Sequence, residues 1–155
     1  MIRVQREDFD IGAEIERLME GRRDLGAVVS FAGSVRDRAG GREVSEMTLE
    51  HYPGMTEKEL ERIEGEARER WPLQDCLIIH RYGTLVPGDK IVLVVTASPH
   101  RRAAFEAAEF LMDYLKTSAP FWKQEAGPDG TRWVESRTSD DEALARWRKP
   151  GKAAE

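Results

Sequence analysis

The chain has 155 residues, 40% of them hydrophobic and 34% charged, a balance that suits one soluble domain with its own core and excludes a disordered polymer. A net charge of −5 argues against a nucleic-acid partner, whose phosphates demand a basic face. No run approaches the ~18 apolar residues of a membrane span, and polar residues at once after Met1 argue against a signal peptide, so the cytoplasm is expected.

In chain order, Ile2 to Gln5 suits a short strand. Asp8 or Asp10 can cap a helix running to Glu20, with Ile11, Ile15, Leu18 and Met19 on one face. The apolar run from Gly26 to Gly33 predicts a central strand, and Ser34 to Arg42 a polar loop carrying glycines. Alternation from Val44 to His51 predicts another strand. After Pro53-Gly54, Thr56 and Glu59 read as a capping box for a helix with Leu60, Ile63, Ala67 and Trp71 inward. Strands are expected at about 76–82 and 90–96, joined by a turn at Val86-Pro-Gly-Asp89.

Ser98 is suited to cap the next helix, with Pro99 at its first position, and Phe105, Ala108, Met112 and Leu115 give it an inner face. That helix must stop before Pro120. A hairpin follows, Phe121–Glu125 and Thr131–Ser136 around Gly127-Pro-Asp-Gly130, and then a short helix from Ser139 to Trp147. Residues 1–148 are expected to form a single domain, with 149–155 as a mobile tail. Several connections are too short for parallel crossovers, so the fold class is α+β with a mainly antiparallel sheet.

Chemistry concentrates between Thr96 and Glu125. His100 and Arg101 stand where free N–H groups and a helix dipole favour an anion. Two arginines in a helix's first turn, Arg101 and Arg102, oppose that dipole, and a bound anion would account for them. Lys116 falls in the last turn and Lys123 on the following strand beside Phe121 and Trp122. Either could be a solvated lysine lying over an aromatic, or an amine desolvated enough to act as acid, base or nucleophile. Arg36 projects from a strand end into a glycine-bearing loop, a common place for ligand contacts.

His100 and Lys116 are separated by roughly 24 Å at 1.5 Å per helical residue, too far for one compact ligand. A site shared by two copies of the chain is therefore expected. Cys76, in an apolar run, reads as a buried thiol, and the three histidines show no metal-ligand spacing.

Six ordered segments, Gly26–Arg36, Leu49–Met55, His80–Asp89, Ser98–Arg101, Met112–Lys123 with the residues to Glu125, and Arg132–Glu135, resemble the catalytic (large) subunit of molybdopterin synthase, the MoaE family. The resemblance covers about Asp24 to Trp147. It implies an α/β hammerhead-type fold with packed helices and a C-terminal hairpin. It implies a homodimer of large subunits within a heterotetramer, each bound to a small ubiquitin-like sulfur carrier with a Gly-Gly thiocarboxylate tail.

The implied reaction is a sulfurtransferase step in molybdenum cofactor biosynthesis. Cyclic pyranopterin monophosphate (precursor Z) gains two sulfurs and becomes molybdopterin. Carried over by position, Lys116 and Lys123 are the catalytic residues. Ser34, Val35, Arg36, His100, Arg101, Gln124 and Glu125 bind substrate, and Arg137 does so from across the dimer. The family usually has a basic or polar residue where Ser34 stands. No cofactor and no metal are expected. The alternative is a non-catalytic module that docks a ubiquitin-like tail or an anionic pterin.

Overall fold

The computed structural model describes residues 1–135 and 138–148. The expected tail at 149–155 and Arg137 lie outside these residues.

Continuous apolar runs dictate the first sheet. Its strand order is β1 (Ile2–Gln5), β6 (Asp75–Arg81), β8 (Lys90–Ser98), β2 (Ala27–Ser34). β1 runs parallel to β6, and the other pairings are antiparallel. Successive side chains on a strand point to opposite faces, so the runs Cys76–Ile79 and Val92–Val95 must be covered on both. Leu77, Ile79, Leu93 and Val95 pack beneath Phe9 and helix α1 (Ile11–Met19). Cys76, Ile78, Val92 and Val94 pack against helices α2 (Met55–Arg70) and α3 (Arg101–Thr117), through Leu60, Ile63, Ala67, Phe110, Leu111 and Leu115. This is the main core.

The second sheet is wholly antiparallel, in the order β10 (Gly130–Val134), β9 (Phe121–Gly127), β5 (Glu46–His51), β7 (Gly83–Leu85). A small ribbon of β3 (Arg38–Ala39) and β4 (Arg42–Glu43) lies beside it, and α4 (Thr138–Ala145) follows β10. The α+β class and the antiparallel bias expected from the short connections are both present.

Several local expectations need correction. The strand from Ala27 is an edge strand, because β8 is its sole partner among the described residues. The polar loop after it contains the β3–β4 ribbon, since Gly40 and Gly41 adopt φ of 58° and 78° and permit a two-residue turn. Helix α2 starts earlier than the Thr56 cap predicts. Gly54 is the cap and its N–H donates to Glu57 Oε2 at 2.6 Å. Thr56 is instead buried inside the first turn. Its hydroxyl accepts from Tyr52 N–H at 2.9 Å and donates to the Pro120 carbonyl at 3.0 Å, tying α2 to the start of β9.

At the other helix, Ser98 remains in β8 and donates to the Pro72 carbonyl at 3.1 Å, so His100 becomes the cap of α3 and Pro99 precedes it. Phe105 is exposed, because the buried face runs through Ala104, Ala107, Ala108, Leu111 and Leu115, about 100° away. Gly26 closes this corner: its N–H donates to the Ser98 carbonyl at 3.1 Å, and a Cβ there would lie 1.8 Å from the Pro99 carbonyl oxygen.

Candidate functional site

A cavity of about 490 Å³ opens where the C-terminal end of α3, the inner face of β9 and the segment after β2 meet. Its walls are set by strand alternation. Phe121, Lys123 and Glu125 occupy one face of β9, and Leu49 and Met47 stand opposite Lys123 and Glu125 on β5. Met47 and Leu49 are buried, so the floor is apolar beneath the charged groups. Lys116 enters from the last turn of α3, where a cation suits the negative end of the helix dipole. Ser34, the last residue of β2, and Arg36 and Arg38 after it line another side.

Four cations, Arg36, Arg38, Lys116 and Lys123, therefore share the cavity with the carboxylates of Glu125, Glu135 and Asp140. Glu125 is buried and receives Arg132 Nη2 at 3.4 Å. The same Nη2 donates to the Ala39 carbonyl at 3.4 Å, so one guanidinium fixes both the carboxylate and the β3–β4 ribbon. With Glu125 partnered by Arg132, the cationic surplus of the cavity is available to an anionic ligand.

His80, on β6, also lines the cavity. It is buried, its ring stacks on Phe121 with centroids 3.7 Å apart and planes at 19°, and its Nδ1 lies 2.9 Å from the Arg81 carbonyl. Burial pushes its pKa down to about 4; the charges of Lys116, Lys123 and His51 act in the same direction, against the Arg81 carbonyl. The ring is neutral at physiological pH. Cys76 is fully buried in the core and its thiol is pushed up to about 12 by that burial, which makes it a poor nucleophile.

Among the described residues no cluster of His, Cys, Asp or Glu is arranged to hold a metal ion, and no helix is long and apolar enough to cross a membrane. The family described as MoaE protein matches residues 4–118. The chain belongs to that family. It is 58% identical over 149 residues to a molybdopterin synthase catalytic subunit of Mesorhizobium japonicum, covering 95% of this chain and 92% of that one. A solved molybdopterin biosynthesis MoaE protein from Burkholderia ambifaria superposes with a TM-score of 0.81 at 54% identity, over 95% of this chain and 97% of that one. The fold is shared further with a chain of the complex of subunits 1 and 2 of molybdopterin-converting factor from Helicobacter pylori. There the TM-score is 0.72 at 19% identity, over 88% of this chain and 91% of that one.

Within this MoaE chain, the structure brings together Ser34, Arg36, Lys116, Lys123 and Glu125 of the residues named from sequence. Others stand apart. Val35 is buried with Met47, Leu49 and Leu85; its N–H donates to the Asp89 carbonyl and its own carbonyl accepts from Gly88 N–H, both at 2.9 Å. Its side chain packs the core beneath the site rather than facing a substrate. Gln124 lies on the opposite face of β9 from Lys123 and Glu125, between Trp133 and Thr48.

His100 and Arg101 are exposed at the far end of α3, outside the cavity. Arg102 needs no anion to explain it, since its Nε donates to Glu106 Oε1 at 2.9 Å, one helical turn on. Of the cavity's ionisable groups, His80, Arg38, Glu135 and Asp140 were not named as site residues from sequence. A histidine closing an apolar strand and a second arginine two positions after Arg36 were the signals that could have found the first two.

Proposed function

We propose that this chain is the sulfur-transferring subunit of a molybdopterin synthase, acting on cyclic pyranopterin monophosphate with sulfur delivered by a small carrier. The observation that carries the reading is convergence. Two lysines from separate elements, Lys116 on α3 and Lys123 on β9, reach one apolar-floored cavity beside Arg36. The family relationship supplies the reaction that such a cavity would serve.

The carrier's thiocarboxylate is anionic, and the cationic surplus would draw it in. Its sulfur would bond to a side-chain carbon of the pterin as the C–O bond at that carbon breaks and the oxygen leaves with a proton from a lysine ammonium, joining carrier and substrate through a thioester. Water would then add to the carrier carbonyl, the C–S bond would break, and the carrier would leave as a carboxylate with sulfur retained by the pterin. Lys123 polarises the reacting side chain or moves its protons, and Lys116 stabilises the tetrahedral oxyanion of the hydrolysis. Arg36 faces the substrate phosphate. Cys76 takes no part, since sulfur arrives on the partner.

His100 and Arg101, stranded at the other end of α3, serve the cavity of a second copy, together with Arg137, so the working unit is a homodimer of large subunits carrying two carriers. A small-subunit partner accords with the Helicobacter pylori neighbour, which was solved as a complex of two subunits. Residues 1–148 act as one domain, in the cytoplasm.

The test is incubation of the purified chain with thiocarboxylated carrier and the pterin phosphate, assayed for the dithiolene product. Product formation that is lost in Lys123→Ala, with carrier affinity intact, is the expected result. No product from the wild-type chain, with the carrier bound, would leave only a docking module.

A further inference from the structure

The geometry points to His80 as a positioning residue whose Nε2 offers one fixed hydrogen-bond lone pair to the ammonium group of Lys123, with Lys116 lining the same cavity. The inference rests on the reading of those lysines given above and adds a residue to it.

Three observations fix the imidazole. First, Nδ1 lies 2.9 Å from the Arg81 carbonyl, an oxygen that can only accept, so Nδ1 carries the hydrogen. Second, the ring is stacked face to face on Phe121 at 3.7 Å, which blocks rotation about its last side-chain bond. Third, the ring lines the cavity, and with Nδ1 engaged the nitrogen left to face it is Nε2. A neutral imidazole with hydrogen on Nδ1 has a lone pair on Nε2 and nothing to donate there.

The neighbours make that lone pair useful. Phe121 and Lys123 are two residues apart on one face of β9, so the lysine rises beside the ring on which His80 is stacked. Lys116 faces it from α3, and both lysines act on the imidazole electrostatically. His51 on β5 acts in the same sense, and Glu125 stands on β9 beyond Lys123. Arg36 and Arg38 after β2 line the same space, as do Glu135 and Asp140 after β10.

Two ammonium groups in one cavity repel each other, and a neutral acceptor for one of them offsets part of that cost. A carboxylate there would neutralise the pair and weaken the attraction for an anionic tail. A neutral acceptor holds one ammonium in place and leaves the cavity's positive charge intact. Burial keeps the ring in that state, because protonating it would place a third cation beside two lysines.

The experiment compares the full chain with His80→Phe, which keeps the stacking and removes the acceptor, and His80→Gln, which returns an acceptor near the Nε2 position. Single-turnover sulfur transfer from thiocarboxylated carrier is measured over a range of pterin concentrations. In His80→Phe the rate constant should fall roughly tenfold or more, with little change in substrate KM. His80→Gln should recover most of the rate.

An unchanged rate constant in His80→Phe would overturn the proposal, as would a His80→Gln variant as impaired as His80→Phe. Nitrogen NMR of the wild-type histidines, in the chain alone, gives a reading that needs neither a folded variant nor turnover. Hydrogen on Nδ1 with a bare Nε2 supports the assignment, and hydrogen on Nε2 overturns it. If the wild-type chain makes no product, the functional reading fails, while the NMR result still decides the role of His80.

Discussion

The two ends of helix α3 carry similar charge into different surroundings. At the C-terminal end Lys116 enters a cavity built by three other parts of the same chain, with Lys123, Glu125 and His80 around it. At the N-terminal end His100 and Arg101 stand exposed, next to an ion pair that satisfies Arg102. One end is enclosed by one copy of the chain. The other has binding chemistry and no enclosure, which suits a group offered to a neighbour.

The largest effect is expected at the enclosed end. Lys123→Ala should reduce the single-turnover rate by on the order of 10²–10⁴ with carrier affinity retained, since loss of a positioned acid or base has that magnitude. Rate and equilibrium binding measured on the same preparation separate the two. Next, mixing Lys116→Ala chains with Arg101→Ala chains should restore roughly a quarter of wild-type activity if each site of a two-fold dimer draws on both copies. Activity no higher than the mean of the two variants would show that the exposed end serves no cavity.

Acid sharpens the contrast through stability. His80 is buried with its pKa held near 4, well below the value near 6.5 of an unfolded histidine. Below about 6.5 the unfolded chain binds a proton that the folded chain refuses, so the stability contributed by neutral burial is present above that pH and lost as pH falls toward about 4. Melting temperatures should drop more steeply over this window for the wild type than for His80→Phe.

At the exposed end, Thr96 Oγ1 donates to the Ala104 carbonyl at 2.7 Å in a buried position. Thr96→Val should cost about 1 kcal/mol in denaturant unfolding and leave turnover unchanged. The smallest effect belongs to Cys76→Ser. Turnover should persist, and the wild-type thiol should resist alkylation until the chain unfolds.

Much of the fold was legible because burial imposes strong patterns. The runs 76–79 and 92–95 announce strands covered on both faces, and Pro120 ends α3 where expected. What failed were features that depend on distant partners. Thr56 has a capping residue's chemistry, yet the Pro120 carbonyl takes its hydroxyl, and Gly54 supplies the cap. Ser98 is claimed by Pro72 in the same way. Phe105 fits an apolar spacing of three and four, but a run of alanines makes the inner face instead, because small residues allow α3 to lie close to the sheet.

The same logic divides the site. Lys116, Lys123 and Arg36 were legible as cations beside apolar or glycine-bearing segments. His80 was not, since its role is set by a stack with Phe121, forty-one positions away in the chain. Val35 and Gln124 followed from resemblance by position, and only the pleat of their strands shows which way each faces.

Gly26 has a mechanical consequence. α3 spans about 24 Å from Arg101 to its last turn, at 1.5 Å per residue, and behaves as a stiff rod lying on β8 and β2. With hydrogen as its side group, residue 26 lets the rod's near end rest against the strand; any larger substituent becomes a wedge beneath it. Prising up one end of a rod tilts the other, so a methyl group inserted at the corner farthest from Lys116 would act as a lever on the placement of its amine.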